Sequence, residues 1–166
     1  MISSRLRVRS PKKVDAHLSV LLRYLELSEQ SVVSLKYKKP DHFLPEGAMC
    51  HFNAWLKWEK DEGSVQAGWI LGQDKNAQFC EAIFHSVWKS PNGDLIDVTP
   101  RQDQEKRILF VPDHIRHIEL TEHNGHPAIN TYDNVRLQGE HLITPLTPML
   151  AVMESDFVHI HKLWPW

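Results

Sequence analysis

The chain has 166 residues, of which 42% are hydrophobic and 24% charged, a composition suited to one globular domain with a core of its own. A formal charge of -2 argues against a molecule-wide field drawing the chain to nucleic acid or an anionic membrane, and no apolar run is long enough to span a bilayer. Two cysteines without CxxC spacing argue against a disulfide scaffold and a thiolate zinc site, so a reducing compartment, the cytoplasm, is expected.

Residues 1–13 carry Arg5, Arg7, Arg9, Lys12 and Lys13 with no acid and lack the apolar middle of a secretory signal. They read as a flexible basic arm on a single domain spanning 1–166. Asp15 is placed to cap a helix to about Leu27, with Leu18, Leu21, Leu22 and Leu25 on one face. Val32, Val33, Leu35 and Tyr37 suggest a short strand, and the prolines and glycine of "KKPDHFLPEG" a loop. A second helix is expected from about Ala48 to Asp61, with Met49, Phe52 and Leu56 as its core stripe and Gly63 ending it. "SVQAGWILG" and "QFCEAIFHSVWKS" alternate and are rich in β-branched and aromatic residues, which predicts two strands. "SPNGD" is a hairpin turn, because Asn-Gly suits its positive-φ positions, and "LIDVT" is the returning strand. "KRILFVP" predicts another strand, and "IRHIEL" and "INTYDNVRL" a hairpin about "HNGH". "PMLAVMESDF" reads as a short helix and "VHIHKL" as a strand or ordered tail. Helices first and strands after predict an α+β fold, with an antiparallel sheet packed on the central helix.

Three residues fall where their elements can meet. Cys50 opens the central helix, His85 lies within a strand, and Asp97 lies on the next strand beyond the Asn-Gly turn. The turn falls near the middle of the segment between His85 and Asp97, which places them side by side on adjacent strands. A thiol at a helix N-terminus is favoured as thiolate by unpaired N–H groups and the positive end of the dipole. A neighbouring imidazole takes the thiol proton, and a carboxylate behind it fixes its tautomer. Asn53, one turn beyond Cys50, projects to a similar face and is a candidate for orienting substrate or the histidine, or for capping local backbone.

From Gly47 to Pro100 the chain resembles the transglutaminase-like branch of the papain-like cysteine enzymes. The resemblance rests on a cysteine opening a helix in "GAMCHFNAWL", on "DEGSVQAGWIL", and on "FHSVWKSPNGDLIDVTP". The last piece looks like that family's histidine–tryptophan strand, glycine turn and D-x-T strand; it is also similar to a stretch in small bacterial and phage proteins. The resemblance implies Cys50 as nucleophile, His85 as base and Asp97 as orienting acid, with Trp88 beside the site. Trp88 follows His85 by three positions where the family more often has an aromatic two after, and Leu95 and Ile96 stand where a second tryptophan is usual. The implied activity is acyl transfer through a thioester, of the amide hydrolase, protease or deamidase type. Its substrate is a protein, a peptide or a small amide; no cofactor and no metal are expected, and neither a membrane nor a nucleic-acid partner.

Blander assignments stand beside these. Free cysteines are commonly inert core, and Cys80, on the strand face opposite His85, is expected to be one. His51 points away from Cys50 around the helix, and Glu81, on the His85 face, is expected at the surface. A catalytically silent binding module of the same fold is the main alternative. A metal-dependent hydrolase using His114, His117, His123, His126, His159 and His161 is a further one, although no HExxH motif accompanies them.

Overall fold

A computed structural model of the chain describes residues 6–153 together with Asp156, Val158, His161 and Lys162. The fold is α+β, with helices α1 (Ala16–Tyr24) and α2 (Cys50–Asp61) and antiparallel sheets among the described residues. Helix α1 (Ala16–Tyr24) opens where the Asp15 carboxylate accepts the Leu18 N–H at 3.1 Å. It stops three residues short of the expected end, where Leu25 N–H turns back to the Leu21 carbonyl and Glu26 takes a positive φ. Its four leucines, 18, 21, 22 and 25, are fully buried. Each such burial contributes about 1.5–3 kcal/mol, so packing holds this short helix.

The strands are β1 (Val33–Lys36), β2 (Ser64–Asp74), β3 (Phe79–Lys89), β4 (Leu95–Ile96), β5 (Arg107–Pro112), β6 (Glu119–His123), β7 (His126–Tyr132), β8 (Val135–Gln138), β9 (His141–Thr144) and β10 (Pro148–Val152). The main sheet runs β1-β5-β2-β3-β8-β9, with β4 also on β3; the small sheet runs β10-β7-β6. The long β2–β3 ladder pairs Ser64 with Lys89 and Asp74 with Phe79 without interruption. One face of this sheet packs Ala67, Trp69, Leu71, Cys80, Ala82 and Phe84 against α1.

The other face curls into a nearly closed barrel. Leu35, Ile70, Val87, Ile108 and Phe110 fill it. A parallel bridge between Tyr37 and Asp97 joins the end of β1 to the end of β4, and Lys38 N–H donates to the Asp97 carbonyl at 2.9 Å. Helix α2 (Cys50–Asp61) lies between the two sheets: Met49, Phe52 and Leu56 meet Ile129, Leu120 and Ala151, while Ala54 meets Trp88 and Val98. No helix among the described residues is long and apolar enough to cross a membrane.

Several local expectations change. "PMLAV" is a strand, because five register pairs with β7 override an apolar pattern that suits a helix equally well. "INTYDNVRL" divides at Asp133–Asn134 between β7 and β8, which belong to different sheets, and β8 turns back into β9. Of "VHIHKL", His159, Ile160 and Leu163 lie outside the described residues. The basic N-terminal stretch is not a free arm from Arg7 onward. Arg9 and Gln73 exchange both backbone hydrogen bonds at 2.9 Å, Arg7 N–H donates to Asp74, and Ser10 Oγ accepts from Leu109 N–H.

Candidate active site

The backbone before α2 turns sharply. Ala48 has φ 62°, in the left-handed region, and Met49 at the N-cap makes no side-chain capping bond. Cys50 is the first helical residue, half-buried, with the unpaired first-turn N–H groups beside it. What holds this turn is Asn53. Its amide donates to the Glu46 carbonyl at 2.7 Å and to Thr99 Oγ1 at 3.1 Å, and its Oδ1 accepts the Glu46 N–H at 3.1 Å. Fully buried and bonded on both sides, Asn53 ties the loop, the helix and the segment after Asp97 together, through the Glu46 backbone and the Thr99 side chain.

His85 is buried in the middle of β3, on the barrel face, with its ring edge-on to Phe110 at 6.4 Å between centroids. Its Nε2 lies 3.0 Å from Asp97 Oδ1, which also accepts the Thr99 N–H at 3.2 Å. The other ring nitrogen, Nδ1, is thereby left for Cys50. Asp97 is not directly across from His85. The β3–β4 register pairs Trp88 with Ile96, so its continuation sets Asp97 opposite Val87, diagonal to His85 on the same face. The Tyr37 bridge then holds it there.

Electrostatics make the three a unit. Burial pushes the Cys50 thiol up, but the His85 charge, a hydrogen bond with His85 and the Ser86 N–H outweigh it and hold the thiol below its ordinary value. Burial pushes the His85 imidazole down, and the Cys50 thiolate and the Asp97 hydrogen bond more than reverse it, raising it to about 10. Both directions favour a thiolate–imidazolium pair, with the buried Asp97 side chain behind it.

The two cysteines sit in different surroundings. Cys80 is fully buried against α1 and burial pushes its thiol up to about 12, so it stays a thiol. His51 faces away from Cys50, stacked near Phe52 and Trp55, and burial pushes it down to about 4, so it is neutral. Glu81 pairs with Arg136 at 3.3 Å rather than with His85. Trp88 is buried, donates from Nε1 to the Glu62 carbonyl at 2.8 Å and carries Lys57 over its ring; it locks the end of α2 to β3 rather than lining the cleft. Of the histidines weighed for metal, His123 and His126 pair across a hairpin and His117 meets Glu119, while His159 lies outside the described residues. No group of three or more metal-ligating side chains occurs among the described residues.

Cys50 and His85 open on a cleft of about 550 Å³. Ile70 and Ile83 form an apolar side, and the Thr99–Asp103 segment the opposite, polar wall. Arg101 in that wall is clamped by Asp103, whose carboxylate accepts its Nε at 3.0 Å. No spacing rule in the sequence marked this wall; its only signal was proximity to Asp97. Set against protein-family models, curated proteins and solved structures, the chain matched none.

Proposed function

We propose that the chain is a cysteine-dependent acyl-transfer enzyme of the transglutaminase-like, papain-like kind. The observation that carries this reading is the hydrogen bond of His85 Nε2 to Asp97 beside a thiol whose ionisation His85 governs, at the mouth of an open cleft. The Cys50 thiolate attacks the carbonyl carbon of an amide. The His85 imidazolium gives its proton to the leaving nitrogen as the C–N bond breaks, which leaves a thioester on Cys50. Water or an amine then attacks the thioester while His85 takes its proton back, and the acyl product leaves as the thiolate returns. Asp97 keeps the imidazole in the orientation both steps need. The cleft takes a protein, a peptide or a small amide as acyl donor.

Alkylation of native protein tests this without knowing the substrate. At about pH 6.5, where an ordinary thiol is almost wholly protonated, iodoacetamide should modify Cys50 far faster than a model thiol and leave Cys80 untouched. Peptide mass mapping reads both sites. A Cys50 no faster than the model thiol would leave a binding module in place of an enzyme.

A further inference from the structure

The barrel carries a concentration of positive charge that its own folding does not use. Lys36, Lys38 and Lys39 lie on and just after β1, and Lys106 and Arg107 lie just before and at the start of β5. All five are exposed, and none makes an ion pair among the described residues. Lys36 and Arg107 are direct cross-strand partners, an arrangement that costs stability because like charges face each other. The Arg107 side chain bonds to Ser34, through Oγ at 2.9 Å and the carbonyl at 3.1 Å. Of the acids nearest in sequence, Glu105 turns to Arg9 at 3.8 Å and Asp41 makes no ion pair among the described residues.

Lysines on an edge strand guard against edge-to-edge pairing, which accounts for Lys36 and Lys38. It does not account for Arg107, because β5 is an interior strand between β1 and β2, nor for Lys106 in the bend just before it. The patch also adjoins the site: the Lys38 N–H is bonded to the Asp97 carbonyl, and Tyr37 bridges Asp97. The chain as a whole is at -2, so this face is a local feature and not a reflection of bulk charge.

We propose that this cationic face is a docking surface for an acidic, extended polypeptide segment of the acyl donor, laid along β1 beside the cleft. The assignment rests on the acyl-transfer reading for the word donor, and on geometry for the surface. A polypeptide fits better than a nucleic acid for two reasons. β1 is the terminal strand of the main sheet: Asp97 takes its outer edge only at Tyr37 and Lys38, and Val33–Lys36 pair with β5 alone, so that stretch of backbone edge can take a further strand while the lysines pair with carboxylates. Single-stranded nucleic acid relies on aromatic stacking platforms, and Tyr37 is the one aromatic residue from Val33 to Lys39 and from Lys106 to Arg107.

The test uses the full chain and a fluorescein-labelled decapeptide of alternating Glu and Thr, read by fluorescence anisotropy. Binding should weaken about ten-fold between about 50 and 200 mM NaCl, because exposed charges are screened. The Lys36→Gln, Lys38→Gln, Lys39→Gln variant should lose about ten-fold or more in affinity, and Lys106→Gln, just before β5, a smaller amount in the same direction. Equal binding by the matching Gln-Thr peptide, unchanged binding by the triple variant, or tighter binding of a thymidine decanucleotide would each overturn the proposal. Cys50 alkylation, measured in parallel, reports the enzyme separately. A sluggish Cys50 with intact peptide binding leaves the surface standing as a partner site, and a reactive Cys50 with no peptide binding removes the surface alone.

Discussion

Asp97 accepts the His85 hydrogen bond at 3.0 Å from a diagonal position, and it reaches that position because Tyr37 pairs with it across the barrel seam. The acid is thus set by three strands at once: β3 supplies the histidine, β4 the approach, and the end of β1 the stop. A two-residue strand such as β4 would place a side chain loosely by itself.

The pH profile of Cys50 alkylation should show a plateau rather than an ordinary thiol curve. The Cys50 thiol is held low and His85 is raised to about 10, so the ion pair persists from below the usual thiol range up to about that pH. Asp97→Asn removes the carboxylate charge that helps hold the proton on His85. The upper limit should then move down, and alkylation at about pH 6.5 should slow about ten-fold or more. Stopped-flow alkylation across pH checks it; a profile identical to the parent would mean that Asp97 does not act on His85.

Asn53 is expected to matter for stability. Asn53→Ala deletes three hydrogen bonds, two to Glu46 and one to Thr99, from a fully buried position, and should cost about 2–3 kcal/mol. Urea denaturation measures this. A variant as stable as the parent would instead free Asn53 for a role in the cleft.

Gly68 sits directly across from His85 in the β2–β3 ladder. A Cβ there would lie 2.3 Å from the Val111 carbonyl oxygen and 2.5 Å from the Phe110 ring, the same ring that borders His85. Gly68→Ala should therefore destabilise the chain by about 1–3 kcal/mol and slow Cys50 alkylation in the fraction that still folds. Gly93→Ala is a useful contrast, since a Cβ there meets no atom and the cost is confined to its positive φ. Equal stability of Gly68→Ala and the parent would show that the strands can part without consequence.

Asp113 predicts the acid limb of stability. Its carboxylate is buried and accepts from Trp69 Nε1 at 3.0 Å, Arg116 Nη1 at 2.7 Å and the backbone of Ile115 and Arg116. Burial pushes Asp113 up, and these donors together hold it below the ordinary carboxylate value. Because the folded value is the lower one, its stabilisation is complete above the unfolded value and is lost as pH falls through the folded value. Asp113→Ala should cost about 3 kcal/mol at neutral pH by taking the carboxylate away from the Arg116 guanidinium, which keeps its bond to the Leu25 carbonyl, and from the Trp69 N–H, and should flatten the loss of stability on acidification. Thermal melts between about pH 3 and 7 decide between this and an unchanged acid limb.

Local chemistry was legible where one short-range rule dominates. Asp15 as a cap, the leucine stripe of α1, the Asn-Gly hairpin and the opening of α2 near Cys50 follow from capping, periodicity and turn preference. The order of Cys50, His85 and Asp97 along the chain was enough to nominate the trio, since the hairpin limits how far His85 and Asp97 can separate. The docking of residues 7–10, the strand at Pro148–Val152 and the parting of β7 from β8 were not legible, because each depends on which distant strand offers an open edge. Asn53 and Trp88 illustrate the same limit at the site. Residue order and short-range rules show which side chains carry reactive chemistry and roughly where they sit. The folded chain adds that Asp97 meets His85 diagonally, that Asn53 bonds the Glu46 backbone and the Thr99 side chain, that Trp88 bonds the Glu62 carbonyl, and that Thr99–Asp103 walls the cleft. These depend on pairing and burial that no short-range rule sets: the strand register and the Tyr37 bridge for Asp97, Thr99 for Asn53 and Glu62 for Trp88.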